Sequence, residues 1–212
     1  MSNDLVKGER VNLAANYPAL AHVIVGLGWD ATDDFVNGIQ ERKGIFGSVL
    51  KQAEKLKKKN TDLDVSCFLL DENDKFQGLI YFNNKVDVSN GIKLNDDDKA
   101  GHRISSNMDT EMLYVDLLLV RPAIAKLDIW VTIHEAEKSK KTFGDIKNAF
   151  IRLVDRVSNS EICRYTLSGS AYSGSTAVKF GSLYRYEGSW KFFADGEGTF
   201  DTTLTSVQTR YK

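Results

Sequence analysis

Acidic and amide side chains recur in this 212-residue sequence at spacings suited to holding a hard cation. Asp30, Asp33 and Asp34 follow the apolar run HVIVGLGW at 22–29. Asp62 and Asp64 stand at i and i+2, which puts two carboxylates on one face of a strand. Asn83 and Asn84 close another apolar run, Asn95-Asp96-Asp97-Asp98 form a polar block, and Asp109 and Glu111 repeat the i, i+2 spacing. Calcium takes about six to eight oxygen ligands, drawn from carboxylates, amides and main-chain carbonyls. Acids gathered at neighbouring loop ends would supply them, and without a cation would repel one another. Taken singly, each is also an ordinary solvated loop acid. Spacing alone leaves both readings open.

Other chemistry is poorly supported. Gly26, Gly28 and Ala31 satisfy the loose dinucleotide fingerprint G-x-G-x-x-G/A. Such a loop should open a helix whose free amides meet a pyrophosphate, yet TDDFVNG after it has no apolar stripe and Trp29 would crowd the phosphate. The glycines instead suit a bulge or close packing in a strand. His134-Glu135 begins like H-E-x-x-H but lacks the second histidine, so His134 reads as a hydrogen-bonded strand-end residue. His22 and His102 have no triad partner nearby, and LSGSAYSGST at 167–176 has no nucleophile elbow. Asp71-Glu72-Asn73-Asp74 starts like an EF-hand loop, but its sixth position is Phe76 rather than glycine.

The elements that must position these residues are mostly strands. LDVSCFLLD (63–71), GLIYFNN (78–84), MLYVDLLLV (112–120), KLDIWVTIHEAE (126–137), NAFIRLVD (148–155), SEICRYTLS (160–168), VKFGSLYRYEG (178–188) and SWKFFADGEG (189–198) are short and rich in β-branched and aromatic residues. DENDK, DRVSN and YEGSW between them read as tight turns. The expectation is mainly β: a two-sheet antiparallel β-sandwich forming one domain over 1–212, with Phe68, Leu70, Ile129, Val131, Ile133, Ile151 and Leu153 between the sheets. An amphipathic basic helix is expected at 38–59, with Phe46, Leu50 and Leu56 on one face, and a short second helix at 138–147. Net charge is −1, so there is no global basic field and nucleic acid is not an expected partner. Cys67 and Cys163 are far apart and belong to no C-x-x-C pair, which suits reduced core residues in a cytoplasmic protein, a disulfide being the lesser alternative. There is no signal pattern at the N-terminus and no apolar run of membrane-spanning length.

The blocks KGERVNLA, VGLGWD, DLD before SCFLLDEN, YFNN, TIHEAE, FGDIKNAFIRLVD, ICRYTL and VKFGSLYRYEGSWKF occur in an order that resembles the TerD family of tellurium-resistance and stress-response proteins. The resemblance covers nearly the whole chain outside 37–60. It implies a β-sandwich with two calcium (Ca2+) sites near one end of the sheets, a bacterial or phage cytoplasmic setting, and no established catalytic reaction. Carried over by position, the metal ligands it implies fall on Asp30, Asp62, Asp64, Asn83, Asn84, Asp97, Asp98, Asp109 and Glu111. The family's calcium loop, usually G-D-N-x-T-G, falls on Asp96-Asp97-Asp98-Lys99-Ala100-Gly101, and the acid-rich stretch after it has become HRISSNM at 102–108. Those departures put one of the two sites in doubt, and the basic segment 38–59 stands where the family has a short loop.

Three functions follow as expectations. The first is a non-enzymatic calcium-binding module of a stress-response system, working with protein partners of a stress-response complex. The second is an interaction adaptor with degenerate calcium sites, acting through 38–59, where lysines at 55 and 57–59 could also make peripheral contact with anionic membrane lipid. The third is a divalent-metal-dependent enzyme using the acidic cleft.

Overall fold

A computed structural model of the chain describes residues 7–30, 61–95 and 109–211. Period-two alternation resolves there into eleven strands: β1 Arg10–Val11, β2 His22–Gly28, β3 Leu63–Leu70, β4 Phe76–Ile80, β5 Ile92–Leu94, β6 Glu111–Asp116, β7 Lys126–Ile133, β8 Phe150–Asp155, β9 Ser160–Thr166, β10 Ala177–Tyr186 and β11 Ser189–Thr199. They form a six-stranded sheet in the order β1-β11-β10-β7-β3-β4 and a five-stranded sheet in the order β5-β6-β2-β8-β9. Every pairing is antiparallel. From β3 onward the chain lays down two strands in one sheet and crosses to the other, β7 alone being single. The turn after β10 has Glu187 at φ 50° and Gly188 at φ 74°, two successive left-handed residues of the kind that suit a two-residue hairpin.

The expected two-sheet core is present. Val25 and Leu27 of β2 and Ile151 and Leu153 of β8 pack against Ile129, Val131 and Ile133 of β7. Both cysteines are buried and unbonded. Burial pushes both thiols up, Cys163 to about 12, as befits packing residues.

Two parts of the expected core lie elsewhere. Phe68 and Leu70 are buried, but on the outer face of the six-stranded sheet with Trp130, Ala177 and Val207, while Val65, Cys67 and Leu69 fill the space between the sheets. All of β3 is buried, so it has no polar face to reveal its orientation. The outer cluster is covered by a C-terminal helix, α3 Leu204–Gln208, and a 3-10 turn at Thr209–Tyr211. Helix α1 is one turn at Leu13–Asn16.

The helix expected at 138–147 is broken. One turn, α2 Ala136–Ser139, ends at Lys140 with φ 54°, and a 3-10 turn follows at Phe143–Asp145. No apolar stripe runs along 138–147 to bury a longer helix. The strand expected to reach Asn84 stops at Ile80, after which Tyr81 and Asn84 exchange backbone hydrogen bonds across a tight turn. The basic helix expected at 38–59 lies outside the described residues. Among the described residues, no helix is long and apolar enough to cross a membrane.

Candidate metal centre

Strand register gathers the candidate ligands at one end of the sandwich. Leu27 of β2 faces Glu111 of β6, Leu63 of β3 faces Ile133 of β7, and Cys67 faces Ile80 near the end of β4. Asp30, Asp62, Asp64, Asn83, Asn84, Asp109 and Glu111 are therefore all carried at or beyond the same strand ends. Backbone and ring contacts lock this end together. The Trp29 indole donates to the Thr61 carbonyl (3.1 Å), the Thr110 amide to Leu27 O (2.7 Å), and the His134 amide to Asp62 O (2.9 Å). The chain leaves this end after Asp30 and returns at Thr61, leaves again after Asn95 and returns at Asp109. Asp33, Asp34, Asp97 and Asp98 belong to those two stretches and lie outside the described residues.

Sharing an end does not make these side chains converge. Asp30 accepts a hydrogen bond from the Asn148 amide at 2.5 Å. Asp64 lies on the outer face of β3, with Oδ2 3.0 Å from His134 Nδ1, and Phe82 packs edge-on against that imidazole at 5.7 Å. His134 is thus the hydrogen-bonded strand-end histidine expected. Asn84 donates its amide to Leu79 O at 2.7 Å and, like Asn83, is exposed.

Asp109 and Glu111 part company despite their i, i+2 spacing. Strand β6 begins only at Glu111, so Asp109 is not bound by strand alternation. Glu111 points inward, 2% exposed, and its Oε2 accepts the Val65 amide from the opposite sheet. That amide lies below the last β3–β4 pair, Cys67 with Ile80, so the carboxylate meets an otherwise orphaned donor. Asp109 turns outward onto the five-stranded sheet, where Arg152 grips both its oxygens, Nε at 2.8 Å and Nη2 at 2.9 Å. Hydrogen bonding to Asp109 raises the guanidinium's pKa against partial burial. Arg152 also reaches Glu161 at 3.1 Å, and Glu161 is held by Arg164, which lies 4.1 Å over the Phe150 ring.

The ion-pair network around Arg152 was missed from sequence, though a signal was present. Gly26 faces Arg152 directly across the β2–β8 ladder. A mid-strand glycine marks a place where something approaches the backbone closely. Here that is the Asp109 carboxylate, which a Cβ at position 26 would overlap.

Whether these residues fit calcium is decided by donor chemistry and by what is unsatisfied. The donors are oxygens, and the described thiols are sunk in the core, so a hard cation is the right class. Two buried hydroxyls at this end, Thr61 Oγ1 and Thr110 Oγ1, have no hydrogen-bond partner, as would suit groups facing a ligand. Among the described residues, however, no three of His, Cys, Asp and Glu are gathered to hold a metal, because Asp109 is committed to Arg152 and Asp64 to His134. The described side chains thus do not by themselves assemble a metal site.

A family model of the TerD domain matches residues 1–211. The chain is 35% identical over 214 residues to the tellurium resistance protein TerD of Serratia marcescens, covering 100% of this chain and 97% of that protein. It is also 35% identical to the stress response protein SCP2 of Bacillus subtilis, over 100% of both chains. General stress protein 16U of Bacillus subtilis is 34% identical, over 100% of this chain and 97% of that protein. A solved homologue of telluride resistance protein (TerD) from Streptomyces coelicolor superposes with a TM-score of 0.67 at 17% identity, covering 92% of this chain and 99% of that one. At that identity the likeness is one of fold.

Proposed function

The chain belongs to the TerD domain family, and from that premise we propose that it is a non-enzymatic, calcium-binding module of a bacterial stress-response system. The observation carrying this reading is the pair of unpartnered buried hydroxyls, Thr61 and Thr110, each beside an acid at the end where both acid-bearing stretches leave and rejoin the sheets. Asp62 would head the near side of the site, with Asp30, Asp64 and Glu111 joining on exchanging Asn148, His134 and the Val65 amide for the cation. Asp97 and Asp98 would complete it from the stretch outside the described residues. Calcium would supply charge neutralisation there. Asp109 belongs to the Arg152 ion pair in this reading, which supports one calcium rather than two.

Isothermal titration of chelator-stripped protein with calcium and with magnesium tests this. A saturable calcium heat with a stoichiometry near one is expected, weakened at least about tenfold by Asp62→Asn with Asp64→Asn. Asparagine keeps the hydrogen bond to His134, so the fold is spared. An identical heat in the double variant, or none in the wild type, sinks the proposal. Protein partners of a stress-response complex, a cytoplasmic setting, and lysine-dependent contact with anionic lipid through 38–59 belong to the same proposal and rest on sequence.

A further inference from the structure

The outer face of the six-stranded sheet changes character across its strands. Around Phe68, Leu70, Trp130 and Ala177 it is apolar and covered by α3. Toward Lys126, Ser182 and Phe193, at the end of the sandwich away from the acids, it opens into a cavity of ≈ 800 Å³. One register row crosses its floor, Arg10 facing Phe193, Phe193 facing Ser182 and Ser182 facing Asp128.

The floor holds a buried mixed-charge network. Asp128 is fully buried. Lys179 Nζ lies 2.9 Å from Asp128 Oδ2 and 3.3 Å from Asp195 Oδ2. The Ser182 hydroxyl lies 2.6 Å from Asp128 Oδ1 and 3.0 Å from Asp195 Oδ2. Lys126 Nζ is 2.9 Å from Asp74 and 3.9 Å from Asp128. Three carboxylates, Asp74, Asp128 and Asp195, therefore share two ammonium groups. Asp195 lines the cavity, and burial lifts its carboxyl above the usual range despite Lys179. It lacks a full counter-charge.

The opposite imbalance lies along the same strand. Lys191, Phe193 and Asp195 alternate onto this face of β11, while Phe192 and Ala194 enter the core. At two residues per step, Lys191 and Asp195 are rooted about 13 Å apart. Lys191 Nζ sits 3.8 Å over the Tyr186 ring, and the Arg10 guanidinium 5.4 Å over Phe193. Among the described residues neither is in an ion pair. A purely anionic ligand would meet Asp195 and Asp74, and a purely cationic one Lys179, Lys126, Arg10 and Lys191.

We propose that this groove binds a dipolar ligand of dipeptide size, its ammonium on Asp195, its carboxylate between Lys191 and Arg10, and its middle on the Phe193 ring. The proposal does not depend on calcium, since the groove and the acids occupy opposite ends of the sandwich. The probe is alanyl-alanine, followed by amide chemical shifts of the full chain. Controls are the N-acetylated peptide, which lacks the ammonium, and the C-terminal amide, which lacks the carboxylate. The free dipeptide should shift β10 and β11 resonances saturably, and each blocked peptide should bind at least about tenfold more weakly. Asp195→Asn should erase the preference for the free amine. Arg10→Gln with Lys191→Gln, at the rim where folding is not at stake, should erase the preference for the free carboxylate. Blocked peptides that bind as well as the free one, rim variants that change neither preference, or no saturable shift with the free dipeptide would overturn the proposal.

Discussion

The Asp109 carboxylate occupies the space that a side chain at position 26 would fill, over the strand in which Gly26 faces Arg152. The glycine is thus the seat of an ion pair. Gly26→Ala should push the carboxylate off and break the two-pronged contact with Arg152. Overpacking of this kind costs about 1–3 kcal/mol, read as a lower urea midpoint. In an Asp109→Ala background the same change should cost much less, since the two residues act through one contact. Equal costs in both backgrounds would mean that the glycine serves something else.

The Tyr211 hydroxyl helps to fasten the C-terminal turn, beside the Arg210–Asp201 ion pair. Tyr211 OH accepts the Trp130 indole N–H at 2.6 Å and donates to Asp128 Oδ2 at 2.9 Å, with its ring 5.0 Å from Phe68. Tyr211→Phe keeps the ring and strips both hydrogen bonds, leaving a buried donor and a buried acceptor each short of a partner. A loss of about 1–3 kcal/mol is expected, with faster amide exchange confined to 204–211. Exchange unchanged there would show that ring packing and the Arg210–Asp201 ion pair hold the segment without the hydroxyl.

Asp87 should contribute a distinct acid-sensitive increment. Burial alone would raise its carboxyl pKa, but hydrogen bonds from Ser89 and the nearby Arg121 guanidinium outweigh that and leave it lowered. The Ser89 hydroxyl is at 2.5 Å, its amide at 3.0 Å and Arg121 Nη2 at 3.2 Å. A lowered folded-state value means stability that is present above the unfolded aspartate pKa, about 3.9, and is lost as pH falls through the folded value. Asp87→Asn should therefore cost about 2 kcal/mol at pH 7, and the gap to wild type should close only below about pH 4. A gap independent of pH would remove the carboxylate charge from the account.

The strands were legible where polar and apolar residues alternate, even in β7, whose polar face is itself buried. Ile129, Val131 and Ile133 alternate with Asp128 and Thr132, and that pattern states which side is inside. Strand β3 is apolar on both faces from Cys67 to Leu70, so Phe68 and Leu70 were assigned to the wrong side. Their cover did carry a signal, Leu204, Val207 and Tyr211 at helical spacing. The acids were found by residue type, but their partners were not. Arg152 lies 43 residues from Asp109, and Val65 46 residues from Glu111. The i, i+2 rule failed at Asp109 because it applies only inside a strand, and β6 starts two residues later.

The two unpartnered hydroxyls give the sharpest test of what the acidic end is for. A buried hydroxyl without a partner is a liability of about 1–3 kcal/mol, which valine removes at nearly the same volume. If Thr61 and Thr110 face only protein, Thr61→Val with Thr110→Val should raise the metal-free melting temperature and leave the calcium response as it was. If they face the cation, the metal-free gain should appear while the rise caused by calcium shrinks. Calcium stabilises by mass action, so a tenfold loss of affinity removes about 1.4 kcal/mol of its effect at saturating metal. We expect the second pattern, measured by thermal unfolding of chelator-stripped protein with and without calcium. Magnesium, which resists dehydration and demands tighter geometry, should distinguish wild type from variant far less. An undiminished calcium response in the double variant would place the cation away from these hydroxyls and remove the observation on which the metal reading rests.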